Sequence, residues 1–139
     1  MQSLVSRLRR TVGASVVSSH ALGYRLEAST DVEEFSRTAA RQFRAAVHSG
    51  LGLALTRLGQ LEKAGEEHEK ALDTVKESAD GPARATVLEL YADWLLVQGD
   101  PTSAGNAVDE AERLRGGPSS DPAVVQLRDR VRAEVGVDR

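Results

Sequence analysis

The chain has 139 residues and a net charge of −3, which is enough length for one domain, and its aromatic content of 4% favours a helical core of Leu, Val and Ala. It has no Cys, which excludes disulfides, thiolate metal sites and a Cys nucleophile. No apolar run approaches the ~18 residues that span a bilayer, and no signal-peptide core follows the first arginines. We therefore expect a cytoplasmic protein that does not enter the membrane.

The first predicted element is a short amphipathic helix that ends near Gly13. One side is an apolar stripe at helical spacing, formed by Leu4, Val5, Leu8 and Val12. Residues 1–30 carry a net charge of +3 and residues 31–139 a net charge of −6, so a basic head precedes an acidic body. The basic side indicates a nucleic-acid contact, or it is the solvated face of a surface helix. This polar and basic side holds Gln2, Ser3, Ser6, Arg7, Arg9 and Arg10.

Two short strands joined by a tight turn are predicted next, because β-branched and aromatic residues flank a Gly. The strands are Ser15–Ser19 and Tyr24–Glu27, and the turn runs from His20 to Gly23. A basic-faced helix followed by a β-hairpin is typical of the second half of a winged helix-turn-helix. In that motif the helix enters the major groove and the hairpin, called the wing, contacts the backbone or the minor groove.

These residues resemble the OmpR-type winged helix of SARP-type antibiotic-pathway regulators. The motifs are Leu4-Val5-Ser6-Arg7-Leu8-Arg9-Arg10 and Gly23-Tyr24-Arg25-Leu26, and Asp31 with Phe35 matches the opening of that family's bacterial transcriptional activator domain. The resemblance implies a recognition helix and the returning strand of a wing. It also implies an N-terminally truncated regulator, because the family's sheet and first two helices have no counterpart here. The residues implied to contact DNA are Gln2, Ser3, Ser6, Arg7, Arg9, Arg10, His20 and Arg25.

Caps and helix breakers predict five helices in the rest of the chain. They span residues 31–59, 60–76, 82–98 and 102–114, and the last begins at Pro122 behind the cap Asp121. The apolar stripe of the last helix predicts a terminal capping role, and it consists of Val124, Leu127, Val131 and Val135. The side chains predicted to face outward are Arg128, Asp129, Arg130 and Arg132.

The middle of the chain repeats itself at an offset of 40 residues. The first copy has Leu51, Gly52, Leu55, Gly59, Ala64 and Ala71, and the second has Tyr91, Ala92, Leu95, Gly99, Ala104 and Ala111. The two copies resemble tetratricopeptide repeats, with His68 where the family usually has an aromatic residue. That family has a period of ~34 residues, and the excess fits a loop at residues 78–82. The alternative is a plain bundle of Ala-rich helical hairpins.

Few residues suggest chemistry, and we expect neither an enzyme nor a bound cofactor or metal. The three histidines are His20, His48 and His68, and none forms the i, i+4 pair of a helical zinc site. His68 lies among Glu66, Glu67 and Glu69, which we interpret as a solvated acidic face. Tyr91 and Trp94 are interpreted as core residues, and exposure in a concave groove would instead indicate a peptide-binding site.

The expected fold is mainly α. Tetratricopeptide-like antiparallel helical hairpins form residues 31–139, and a partial winged-helix remnant, a helix plus a β-hairpin, forms residues 1–30. The first functional hypothesis is a DNA-binding transcriptional regulator of the activator type, or a fragment of one. Its helical domain would contact a protein partner or RNA polymerase, and could pair as a homodimer. The alternative is a tetratricopeptide-like adaptor for protein–protein interaction that does not bind DNA.

Overall fold

The computed structural model describes residues 17–20, 23–26 and 29–137, with side chains for residues 32–136. The chain divides between Ala39 and Ala40 into two units, and each is described by itself. In the first unit, strands β1 (Val17–His20) and β2 (Gly23–Leu26) pair in antiparallel fashion. The residues of the proposed recognition helix lie outside the described ranges. The winged-helix assignment and the predicted domain boundary after residue 30 therefore remain predictions.

Helices account for almost all of the described chain. They are α1 (Ser29–Arg57), α2 (Leu61–Val75), α3 (Gly81–Gln98), α4 (Pro101–Arg115) and α5 (Pro122–Val137). The first four differ from their predicted bounds by two residues at most, and α5 begins at the predicted residue. None of the helices between residues 29 and 137 is both long enough and apolar enough to cross a bilayer.

Acidic caps and a glycine fix the ends of α3 and α4. The side chains of Asp80 and Asp100 accept hydrogen bonds from the backbone N–H groups of Ala83 and Ser103, each at 3.0 Å. These bonds satisfy donors that a helix leaves unpaired in its first turn. Gly99 ends α3 with a φ of 82°, a left-handed conformation that residues with a side chain rarely adopt. The hairpin turn predicted at this position is confirmed.

Small residues allow the helices to pack closely within the second unit. Ala64, Ala71, Ala104 and Ala111 are all 0% exposed, as the repeat pattern predicts. Around α3 and α4 the core also contains larger apolar side chains, namely Leu95, Leu96, Val108, Leu127 and Val131. Because Leu127 and Val131 come from α5, the last helix covers the end of the α3–α4 hairpin, as its apolar stripe predicts.

Two sequence-based placements are wrong. His68 is not part of a solvated face, because it is 0% exposed. It belongs to the buried side of α2, where it lies in register with Ala64, Ala71 and Val75. Arg128 does not face outward either: its side chain is 18% exposed, and its Nη1 donates to Glu112 Oε1 at 3.1 Å. That ion pair joins α5 to α4, which explains why the arginine turns inward.

Candidate functional site

A groove of about 330 Å³ lies between α1, α3 and α5. The first helix of each hairpin and the closing helix α5 lie on the same side of the unit, so their side chains face a shared cleft. Its apolar lining consists of Leu53, Leu90, Ala123, Val124 and Leu127. Such a lining, with a few charged groups at its border, is typical of a site that binds another molecule.

The charged part of this groove is centred on Asp93 of α3. Its side chain is only 13% exposed, and its two oxygens are contacted by arginines from two other helices. Arg130 Nη1 donates to Oδ1 at 2.9 Å, and Arg57 Nη2 lies 3.6 Å from Oδ2. Both arginines stay substantially exposed, at 50% and 71%, so these contacts contribute little stability on their own. Two cations therefore share this carboxylate, and Asp121 adds a further carboxylate to the lining of the groove.

A second carboxylate that lines the groove, Glu89 of α3, is paired with an arginine of α4. It is 6% exposed, and the guanidinium of Arg115 on α4 contacts both of its oxygens, with Nη2 to Oε2 at 3.1 Å. The hydrogen bond to Glu89 raises the pKa of Arg115. This bidentate pair fixes α3 against α4, and it neutralises Glu89 within the groove wall.

An aromatic cluster on the other side of α3 locks the first hairpin to the second. His68 lies 6.2 Å from Tyr91 and 6.1 Å from Trp94 between ring centroids, and the rings of Tyr91 and Trp94 stack at 5.5 Å. Trp94 Nε1 donates to the carbonyl oxygen of Leu61 at 2.9 Å. Tyr91 and Trp94 pack against the core and do not line the groove, so their interpretation as core residues is confirmed.

The burial of His68 predicts a pH-dependent stability. Desolvation lowers its pKa below the ordinary value of 6.5, although the nearby Asp93 carboxylate opposes this shift, and neither ring nitrogen has a hydrogen-bond partner among the described residues. A lowered folded-state pKa means that the unfolded chain binds this proton more readily. The resulting stability is present above pH 6.5 and is lost as the pH falls through the folded-state pKa. Chemical denaturation between pH 8 and pH 5 should show this loss of stability.

The matched variant is His68→Leu, which has similar volume and no titratable ring. It should be at least as stable as the parent at pH 8, because a buried polar group without partners costs ~1–3 kcal/mol. Its stability should change less between pH 8 and pH 5 than that of the parent. An unchanged pH dependence in His68→Leu would assign the effect to other groups.

The structure describes only part of the residues predicted to bind DNA. Gln2, Ser3, Ser6, Arg7, Arg9 and Arg10 lie outside the described ranges. His20 ends β1 and Arg25 lies in β2, where its backbone is opposite Ser18. Among the described residues, no group of three His, Asp or Glu side chains is arranged to hold a metal ion.

The sequence did not predict the groove residues, although one signal pointed to them. Leu53 and Asp93 occupy the same position in the two repeats, 40 residues apart, and both line the groove. Each directly follows the small residue, Gly52 or Ala92, that the helix buries. A position next to the buried small residue in each repeat therefore faces the cleft.

The fold and the groove together define a helical-repeat protein with a cleft on one side. The family model for the tetratricopeptide repeat matches residues 43–115, which is more than half of the chain. The protein therefore belongs to the tetratricopeptide repeat family, and the repeats predicted from the 40-residue offset are confirmed. Comparisons with curated proteins and with solved structures gave no match.

Proposed function

We propose that the helical body binds a segment of a partner protein in the groove between α1, α3 and α5, and that it acts as a binding module and not as an enzyme. The observation that supports this most is the combination of an apolar lining with two exposed arginines around Asp93. The lining would bury one or two apolar side chains of the partner. Each such side chain contributes roughly 1.5–3 kcal/mol when it is removed from water.

The test is a comparison of two glutamate variants. Leu53→Glu places a charge in the apolar lining, whereas Val97→Glu places one at a site that is 47% exposed and outside the groove. Peptides selected from a phage-displayed library on the whole chain would be measured against both variants by fluorescence anisotropy. We expect Leu53→Glu to weaken binding at least about tenfold, or 1.4 kcal/mol, and Val97→Glu to leave it unchanged. Equal affinities for parent and Leu53→Glu would exclude the groove.

We also propose, as a second function, that the chain belongs to a DNA-binding transcriptional regulator of the activator type. The support is the basic segment with Arg7, Arg9 and Arg10 and its resemblance to the SARP-type winged helix. In this case the helical body would contact RNA polymerase or another protein, and the protein would work in the cytoplasm. The body carries a net charge of −6, so the arginines of the head would have to supply the attraction to phosphate.

The DNA hypothesis predicts a specific loss in one double variant. Arg7→Ala with Arg10→Ala should weaken binding to a duplex selected from randomised DNA by ~1–3 kcal/mol per lost base contact, and should reduce the salt dependence. The control is Arg113→Ala with Arg132→Ala on the helical body, which removes the same charge. If both double variants bind as the parent does, Arg7 and Arg10 are not in the interface.

A further inference from the structure

One face of α1 is apolar and exposed along its whole length in the second unit. Phe43 and Leu58 are both 72% exposed, Val47 is 50% and Leu51 is 47%. These are four of the six exposed large apolar side chains among the described residues. The opposite face of α1 is buried in the unit, with Ala45 and Ser49 each 2% exposed. The exposed face, called the α1 face below, comprises Ala40, Phe43, Val47, Gly50, Leu51, Ala54 and Leu58.

The α1 face has no charged residue, although 28% of the chain is charged. At 3.6 residues per turn its members lie within about 100° of one another around the helix. Leu58 continues this row just beyond α1, since its N–H still bonds to the Ala54 carbonyl oxygen at 3.0 Å. An uncharged surface of this length has no complementarity for a nucleic acid or for a strongly charged peptide. It fits another uncharged apolar helix.

Gly50 lies in the middle of this face, and no contact with the described residues explains why a glycine stands there. A Cβ at Gly50 would meet nothing within 4 Å, whereas a Cβ at Gly52 would collide with His68. Glycine weakens the interior of a helix, so an exposed one is unfavourable unless another backbone approaches it. Gly50 and Ala54 together leave a shallow gap between the larger side chains of the α1 face.

This arrangement of large and small residues is complementary to itself. In an antiparallel pair of α1 helices centred on Gly50, Phe43 of one copy lies near Leu58 of the other. Val47 then lies near Ala54, and Leu51 lies over Gly50. Val47 and Leu51 therefore each meet a small residue on both sides of the two-fold axis, and Phe43 packs against Leu58 at each end, so the same surface serves both copies as an isologous interface requires.

The arginines at the edges of the α1 face do not decide the orientation. Arg44 borders one edge and Arg57 borders the other. In a parallel pair each arginine is level with its own counterpart, and in the antiparallel pair Arg44 of one copy is level with Arg57 of the other to within about 1.5 Å. The antiparallel orientation therefore rests on the pairing of Val47 and Leu51 with small residues.

We infer that the α1 face binds the α1 face of a second copy of this chain, antiparallel and centred on Gly50. Covering most of the face on both copies would remove roughly 1,000 Å² from water, which is the lower end for a specific interface. The dimer is therefore reversible and depends on concentration. The interface and the groove have only the bordering Arg57 in common, so the dimer does not depend on the proposed peptide binding.

The first experiment measures mass by sedimentation equilibrium on the whole chain from about 1 µM to about 1 mM. The parent should pass from monomer to dimer over this range. Val47→Glu should remain monomeric with an unchanged helical circular dichroism spectrum, while Val97→Glu and the groove variant Leu53→Glu should dimerise as the parent does. A parent that stays monomeric throughout, or a Val47→Glu variant that dimerises like the parent, would overturn the inference.

The second experiment uses the absence of cysteine from the chain. Gly50→Cys places one thiol next to its counterpart on the two-fold axis, within the Cα separation of about 4.4–6.8 Å that a disulfide needs. Under mild oxidation it should form a covalent dimer at least about tenfold faster than Val97→Cys, because docking raises the effective concentration of the thiol. Equal rates for the two variants would contradict the antiparallel arrangement even if the chain dimerises elsewhere.

Discussion

Replacing Arg115 with Met should lower the free energy of unfolding by about 3–5 kcal/mol, the usual cost of leaving a buried charge without its partner. Glu89 is 6% exposed, so little water can replace the guanidinium that contacts both of its oxygens. The pair also joins α3 to α4, so its loss loosens the second hairpin. Urea denaturation monitored by circular dichroism at 222 nm measures the change.

Two further variants separate the ion pair from the volume of the side chain. The double variant Glu89→Leu with Arg115→Met removes both charges and should recover most of the loss. Arg113→Met is the exposed control: Arg113 is 67% exposed and pairs with Glu110, so its loss should cost about 0–1 kcal/mol. If Arg115→Met and Arg113→Met cost the same, burial does not determine the strength of the Glu89 pair.

The helix bounds and the small-residue core could be predicted from local signals. Asp80 and Asp100 precede Pro82 and Pro101, and each acidic side chain caps the helix that follows. Gly99 takes the left-handed conformation that its place in the turn requires. The burial of the repeated alanines follows from the 40-residue offset, since a position that packs in one hairpin packs in the other.

The candidate groove and the position of His68 could not be predicted in the same way. The groove is lined by Leu53, Asp93 and Arg130 from three helices. Residues so far apart in the sequence give no local signal that they line the same groove. His68 was misplaced because its acidic neighbours in sequence outweighed its spacing from Ala64 and Ala71. His68 lies four residues after Ala64 and three before Ala71, and this helical spacing was the correct signal for a buried position.

Gly52→Ala should destabilise the protein by about 1–3 kcal/mol, the usual cost of overpacking a core, even though Ala favours a helix more than Gly does. The added Cβ would lie 2.8–2.9 Å from three atoms of the His68 ring. That ring cannot move away, because it is 0% exposed and is packed against Tyr91 and Trp94. Either α1 would have to separate from α2, or the aromatic cluster would have to rearrange. Thermal and urea unfolding of the purified chain would both measure the loss.

Gly50→Ala is the matched control, two residues earlier on the same helix. Its Cβ meets nothing within 4 Å, so at a low concentration that keeps the chain monomeric this variant should be unchanged or up to ~1 kcal/mol more stable. A rescue variant tests the cause: Gly52→Ala with His68→Ala should lose less stability than the sum of the two single variants, because the smaller side chain makes room for the Cβ. Strict additivity of these two losses, or equal stability of Gly50→Ala and Gly52→Ala, would show that the contact between Gly52 and His68 does not set the spacing of α1 and α2.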